Sequence, residues 1–253
     1  MSVFSNVDDS DDPDLAVAYL SVTARAASGM KHYALAAHAL RQPDGFVLDV
    51  GCGAGHDLAL LQSKGITAVG VDPSATMLRS AAGRVEAPLV QANGERLPFR
   101  SGSIAGCRIE RVLVHVPEPS VFLGEVARCL RPGALVTVFE PVWNRFTVRE
   151  ADEDVSAAWL APVLNPDAGD RLWEWVEQAG CVVLDRVEEL SVWRSIDTLE
   201  RAINLDRATA SAIDESRISE STEARWQQRQ RERSRRGDFQ ATIPKVLIVA
   251  QRC

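Results

Sequence analysis

The 253-residue chain is short of several features that would assign it a role at once. No apolar run approaches the roughly 20 residues that a bilayer-spanning helix needs. The five cysteines, Cys52, Cys107, Cys129, Cys181 and Cys253, are scattered, so neither a zinc knuckle nor a redox pair is spelled out. Lysine and arginine (28) are outnumbered by acids (35), and the net charge of −7 argues against a nucleic-acid surface, which is normally strongly basic. With four histidines and no cluster of His, Asp and Glu, no metal site is signalled. The N-terminus, "MSVFSNVDDSDDPDLAVAYL", places acids where a secretion signal would be basic. These shortages predict a soluble cytoplasmic protein with reduced thiols and with neither a membrane nor a nucleic-acid partner. The first dozen residues, four of them aspartate, read as a frayed acidic start.

What is present is a regular alternation. Asp14–Leu40 is Ala-rich and reads as one or two helices, broken by "QPDG". "FVLDV" is a continuous apolar run, as expected of a strand buried on both faces. A helix at about 56–64 follows, closed by Gly65. "TAVGVD" predicts a second strand, and "SATMLRSAAGRV" a helix with Ser74 as N-cap. "PLVQAN" and "IAGCRIE" predict the third and fourth strands. "PEPSVFLGEVARCLRPGA" reads as a helix ended by Pro132-Gly133, and "LVTVFEP" as the fifth strand. Beyond these, "DRLWEWVEQAGC" predicts an amphipathic helix, "VVLDRVEELSVW" one strand or two, and residues 196–236 helices. "KVLIVAQR" predicts a closing strand over 243–251. Strands alternating with helices imply a mostly parallel sheet covered on both faces, with ligands at the carboxyl ends of the strands. Asp49, Asp72, Asn93, Glu110 and Glu140 all fall at or just past predicted strand ends, so they should converge on one edge.

The stretch "VLDVGCGAGHDLALL" carries the ligand signal. A dinucleotide loop would read G-x-G-x-x-G, but its third glycine would fall at His56; here the glycines are Gly51, Gly53 and Gly55. Asp49, two residues before the first glycine, would oppose a pyrophosphate and favour a cation. Asp72, 21 residues after Gly51, has the spacing of an acid that accepts from ribose hydroxyls. A ligand with a ribose, a cationic amino-acid part and no phosphate is S-adenosylmethionine.

In order, "VLDVGCGAG", "GVDPS", "ANGERLPF" and "RVLVHVPEP…LGEVARCLRPGALVTVFEP" resemble the successive motifs of class I S-adenosylmethionine-dependent methyltransferases. They most resemble the branch holding the ubiquinone and menaquinone C-methyltransferases and many bacterial natural-product methyltransferases. The resemblance covers roughly residues 45–145. It implies a single domain over 1–253 with the Rossmann-like α/β class I methyltransferase fold: N-terminal helices over 14–41, a cofactor core over 45–145, substrate-side helices and strands over 146–236, and a final strand. It implies that Asp49 and the backbone of Gly51, Cys52 and Gly53 hold the methionine end of S-adenosylmethionine, beside Glu110 and Arg111. Asp72 would grip the ribose, Pro73 and Met77 line the adenosine, and Asn93 and Gly94 read the adenine edge. Two positions depart from the family pattern: Asn93 stands where Asp is usual, and Ala105 where an acid commonly follows the Leu-Pro-Phe.

Methyl transfer needs alignment and exclusion of water, and a base only if the acceptor must lose a proton. No triad is legible. His115 is the candidate base, with a packing role as the plainer reading. Glu140 either touches substrate or caps a loop. Trp143, Trp159, Trp173 and Trp175 suggest an aromatic substrate wall, although the last two lie on different helix faces. Trp143 is the best substrate contact among them; Tyr19 and Tyr33, on the N-terminal helices, are further candidates. The six arginines between Arg225 and Arg236 read as a solvated helix face pairing with acids. The expected activity is methylation of a small organic acceptor, a specialised metabolite or quinone-like molecule, by a monomer or homodimer. The alternatives are a non-methylating relative that guides a cyclisation or rearrangement, and a silent protein that only binds the cofactor.

Overall fold

The computed structural model describes residues 7–10, 13–24, 34, 37–38, 44–149 and 153–253. Helix α1 spans Pro13–Ala24. The alternation then runs β1 (Val47–Val50), α2 (His56–Ser63), β2 (Ala68–Asp72), α3 (Ala75–Ala82) and β3 (Leu89–Gln91). It continues through β4 (Ile104–Glu110), α4 (Pro119–Cys129) and β5 (Leu130–Pro141). The second half comprises β6 (Thr147–Val148), α5 (Glu153–Leu160), α6 (Ala168–Gln178), β7 (Cys181–Trp193), α7 (Ile196–Ile203), α8 (Leu205–Asp214), α9 (Glu220–Arg236) and β8 (Ala241–Arg252).

Every residue of β1 and β2 is buried, which is why both read as unbroken apolar runs rather than alternations. The sheet order is β3-β2-β1-β4-β5-β8, with the short β6 beside one end of β8 and β7 along its other edge. Neighbours from β3 to β5 are parallel; β8 is antiparallel to β5, β6 and β7. The chain winds outward from β1 to β3, then returns to β4 on the opposite side of β1. That reversal leaves a crevice past the carboxyl ends of β1 and β4, where open α/β sheets bind ligands.

Three local readings are refined. The helix before β5 stops at Cys129, and Pro132-Gly133 lie within β5, where the register against β4 shifts between Ile104 and Gly106. Pro cannot donate to the ladder and Gly133 has φ 79°, so this pair makes an irregularity in the strand instead of ending the helix. "VVLDRVEELSVW" belongs to one 13-residue edge strand, Cys181–Trp193, with alternating burial. The last strand extends one residue beyond the expectation at its carboxyl end and two at its start.

The sheet and a cap built mainly from α5 and α7–α9 each bury their own cluster. Leu48, Val71, Ile109 and Ile248 belong to the sheet's core, which extends to Trp175. Trp173, on the other face of α6, is 46% exposed, so the "LWEW" pair divides as its spacing requires. In the cap, Trp226 of α9 meets Trp159 of α5 edge to face at 4.6 Å, and Phe146, Leu199 and Phe239 close around them. The arginine-rich α9 keeps Trp226 inside; on its outer face Arg231 pairs with Asp197 (3.3 Å) and Glu200 (2.6 Å) of α7.

Because Trp226 is fully buried in the cap, Trp226→Ala should destabilise the protein by about 3–5 kcal/mol, and Trp226→Phe by clearly less, measured by urea unfolding.

Candidate active site

The site begins where β1 runs out. Gly51, Gly53 and Gly55 take φ of 76°, 50° and 77°, left-handed values that any side chain would strain. At Gly51 space also forbids a side chain, because a Cβ would run into Val112. The turn is held to β2 by the amides of Gly51 and Cys52, both donating to the Val71 carbonyl (2.8 and 3.0 Å).

Asp72, at the end of β2, pins the same turn. Its Oδ2 accepts from the Gly53 amide and its Oδ1 from the Ser74 amide, each at 2.9 Å. Burial raises its pKa, while the amides of Ser74 and Gly53 favour the ionised form. Ser74 caps α3 as expected, accepting from the Met77 amide at 3.1 Å. The acidic start is not wholly frayed. Asp8 accepts from the Ser74 hydroxyl (2.6 Å) and the amides of Ala75 and Thr76, and these bonds, the Ser74 one foremost, hold its pKa down to about 2. A carboxylate at a helix N-terminus satisfies amides that have no partner within the helix. Next to it, Val7 is buried with Ala16, Ala54 and Met77, so residues of the start lie across the glycine turn.

Asp49 is buried beneath the cavity and does not line it. Arg108 of β4, 2% exposed, pairs with Asp49 (3.1 Å), Asp57 (2.8 Å) and Glu110. Burial works against the Arg108 charge, but the three carboxylates outweigh it and raise its pKa. Burial pushes Asp49 up to about 6; Arg108 opposes this, and Asp57 and Glu110 add to it. The direct attraction of Asp49 for a cation is therefore modified: three acids around Arg108, one of them also paired with Arg111 at 3.4 Å, leave a net negative charge, and the cavity is lined by Asp57 and Glu110 rather than Asp49.

Across the crevice Arg111 follows Glu110 with φ 56°, an uncommon conformation for a non-glycine residue, and its amide donates to the Phe139 carbonyl at 2.8 Å. Glu140 lies beneath this loop, fully buried, with Oε1 accepting from the amides of Val112 and Leu113, each at 2.7 Å. It is absent from the cavity wall, so of its two anticipated roles the structure places it in the loop-capping one. Burial raises its pKa to about 8 against the two amides. His115 does line the cavity; burial, with the charge of Arg111, lowers its pKa to about 4 and keeps the imidazole neutral at pH 7.

These elements enclose a cavity of about 630 Å³, within the usual range for a small-molecule site. Its wall carries Gly51, Cys52, Gly53, Asp72, Pro73, Met77, Asn93, Gly94, Glu110 and Arg111, so the anticipated cofactor residues other than Asp49 are brought together. Phe122 fills the space beside Gly94 that a Cβ would need. Trp143 and Trp159 reach the cavity from the other side, whereas Trp173 and Trp175 do not. Tyr33 and the side chain of Tyr19 lie outside the described residues. Sequence reading missed Arg108, Asp57, Asp8 and the wall supplied by α8. A charge inside the otherwise apolar "IAGCRIE" was a usable signal for Arg108, since a buried charge needs partners. Among the described residues no group of three or more His, Cys, Asp or Glu could hold a metal, and no helix is long and apolar enough to cross a membrane.

Residues 48–138 match the family model described as a methyltransferase domain. An uncharacterised 37.1 kDa protein in transposon TN4556 of Streptomyces fradiae is 32% identical over 223 residues, covering 83% of this chain and 63% of that protein. An uncharacterised methyltransferase of Mycobacterium sp. (strain KMS) is 38% identical over 98 residues, covering 38% of this chain and 39% of its own. The chain thus spans less than two thirds of the length of these curated relatives. A geranyl diphosphate methyltransferase solved in complex with S-adenosylmethionine shares the fold, with a TM-score of 0.58 at 21% identity over 98% of this chain and 94% of that one. Residues 48–138 thus match a methyltransferase domain, and S-adenosylmethionine is the cofactor bound in that solved structure. The glycine turn, joined to Asp72 through the Gly53 amide and lining the same cavity, fits that cofactor.

Two outcomes follow from this geometry. Gly51→Ala should abolish measurable S-adenosylhomocysteine binding by calorimetry, because the turn must move off Val112. Glu140→Gln keeps an oxygen for the two amides but cannot ionise. The folded pKa of Glu140 lies above its ordinary value of 4.5, so the folded state holds the proton that the unfolded state releases between about 4.5 and 8. Stability from this group therefore falls as pH rises through that window. The Gln variant should gain stability relative to the wild type from pH 5 to pH 8; a constant difference in denaturation midpoint would contradict this.

Proposed function

We propose that the protein transfers a methyl group from S-adenosylmethionine to a small organic acceptor held between the glycine turn and the cap. The observation that carries the reading is the continuity of one cavity from Gly51–Gly53 and Asp72 to Trp143 and Trp159. The bound cofactor supplies an electrophilic methyl group on a sulfonium, so the protein's task is binding, alignment and exclusion of water. In this reading the carboxylate of Asp72, already oriented by two amides, accepts from the ribose hydroxyls through its remaining lone pairs. Met77, Pro73, Asn93 and Gly94 bound the adenosine, with the Asn93 carbonyl as acceptor for the adenine amino group. Glu110 and Asp57, held by Arg108, face the cationic amino-acid end.

His115 lies in the 3₁₀ turn Leu113–His115, between the cofactor wall and the cap. With its pKa near 4, it is a poor store for a proton at neutral pH, since a general base works best near the operating pH. We assign it the role of a neutral hydrogen-bond partner that orients the acceptor. The apolar cap wall, with Trp143, favours a specialised metabolite or quinone-like acceptor over a macromolecule.

Formation of S-adenosylhomocysteine in step with loss of a candidate acceptor tests the reading. Acceptor conversion without it would point to a rearrangement catalyst, and cofactor binding with no turnover of any acceptor to a silent binding protein. Asp72→Ala should weaken cofactor binding by roughly 1.5–3 kcal/mol, the scale of hydrogen bonds to a charged group; unchanged calorimetric affinity in the folded variant removes its ribose role. The pH–rate profile should carry no limb near pH 6.5, and a limb there that His115→Gln abolishes would make the imidazole a general base.

A further inference from the structure

The cap side of the cavity is almost entirely apolar, with Trp143, Trp159, Leu160 and Ile203 on its wall, and among the described residues it carries one charged residue, Arg207. This residue occupies the first turn of α8 and is half-buried. Among the described residues its guanidinium makes no ion pair and no hydrogen bond.

The neighbouring polar groups are already engaged or lie in solvent. Ser211, one turn further along α8, donates to Glu215 at 3.1 Å and accepts from Arg217 at 3.0 Å. Glu200 of α7 is taken by Arg231 at 2.6 Å, and Asp206 is exposed. Asn204, which also lines the cavity, sits at the α7–α8 junction with φ 51° and makes no side-chain cap bond to α8. The other charged residues of the cavity, Asp57, Asp72, Glu95, Glu110 and Arg111, belong to the cofactor side, where Arg111 pairs with Glu110 at 3.4 Å.

A guanidinium drawn partly out of water without a counter-charge is costly, and native structures seldom leave one in an apolar wall. Its planar fork matches a carboxylate in two parallel hydrogen bonds. The first-turn amides of α8 add positive potential from the same helix end. A phosphate, with nearly twice the charge, would call for a second cation on this wall, and Arg207 is alone there among the described residues.

We propose that Arg207, with Asn204 beside it, binds a single carboxylate on the acceptor, whose apolar body packs on Trp143 and Trp159. The protein would thus select a hydrophobic monocarboxylate. This assignment rests on the methyl-transfer reading above, because it takes the cap side of the cavity as the acceptor's half.

The test uses the whole chain saturated with S-adenosylhomocysteine, titrated by calorimetry with naphthalene-2-carboxylate, naphthalene-2-carboxamide and 2-naphthyl phosphate. The carboxylate should bind about tenfold or more tightly than the carboxamide, the scale of one charge-assisted contact. Arg207→Gln should erase most of that preference, Arg207→Lys should keep part of it, and Arg201→Gln, on exposed α7 surface, should leave it intact. Equal binding of carboxylate and carboxamide, a preference that survives Arg207→Gln, or binding of none of the three probes would overturn the assignment. Tighter binding of the phosphate would overturn it in favour of a phosphorylated ligand. Failure of S-adenosylhomocysteine itself to bind would overturn the methyl-transfer reading and this assignment together, so the two failures are told apart in one titration series.

Discussion

A single guanidinium stands where three acids converge. Arg108 projects from β4 toward Asp49 of β1, Asp57 of α2 and Glu110 at the end of its own strand, almost without exposure to water. Three carboxylates so close together would repel one another and drive their own protonation. With Arg108 among them, they hold two neighbouring strands and a helix start together at the point where the sheet reverses direction. The net negative balance that remains faces the crevice through Asp57 and Glu110. Buried ion networks of this kind contribute less to net stability than their attraction suggests, because each charge is first stripped of water. Here the return is a crevice floor with a defined charge.

Around that floor, backbone does much of the shaping. Three left-handed glycines turn the chain after β1, Asp72 ties that turn to the start of α3, and Glu140 holds the opposing loop by two amides. Arg111 carries the same kind of conformation without being glycine, so the surrounding contacts must sustain it. The two loops are matched to each other: the space denied to a side chain at Gly51 is the space occupied by Val112. The cap packs its own aromatic cluster and presents one wall to the same cavity, so that wall can differ while the glycine turn opposite stays as it is.

Much of this was legible in the residues. The apolar runs of β1, β2 and β4 announced doubly buried strands, and the acids at their ends marked the edge that became the site. The glycine spacing and Asp72 suggested the kind of ligand proposed above. Glu140 was legible as a strand-end acid but not as a loop cap, because its partners are backbone amides 27 and 28 residues away. Asp8 was read as frayed because nothing local marks it; its partners lie 66 to 68 residues along the chain. The Pro132-Gly133 pair read as the helix stop, but the helix ends earlier, at Cys129, and the pair falls in the irregular stretch of β5 between its two registers with β4.

By itself, then, the sequence determined the order of strands and helices and the turn that only glycine can make, because periodicity and left-handed conformations are local properties. Tertiary structure alone decided which charges face the cavity and which are cancelled beneath it. It set Asp49 under Arg108, Glu140 under the Val112 loop, and Arg207 on the cap wall with no partner among the described residues. A charge acquires its role from the groups packed around it, and those are brought together by folding across tens of residues.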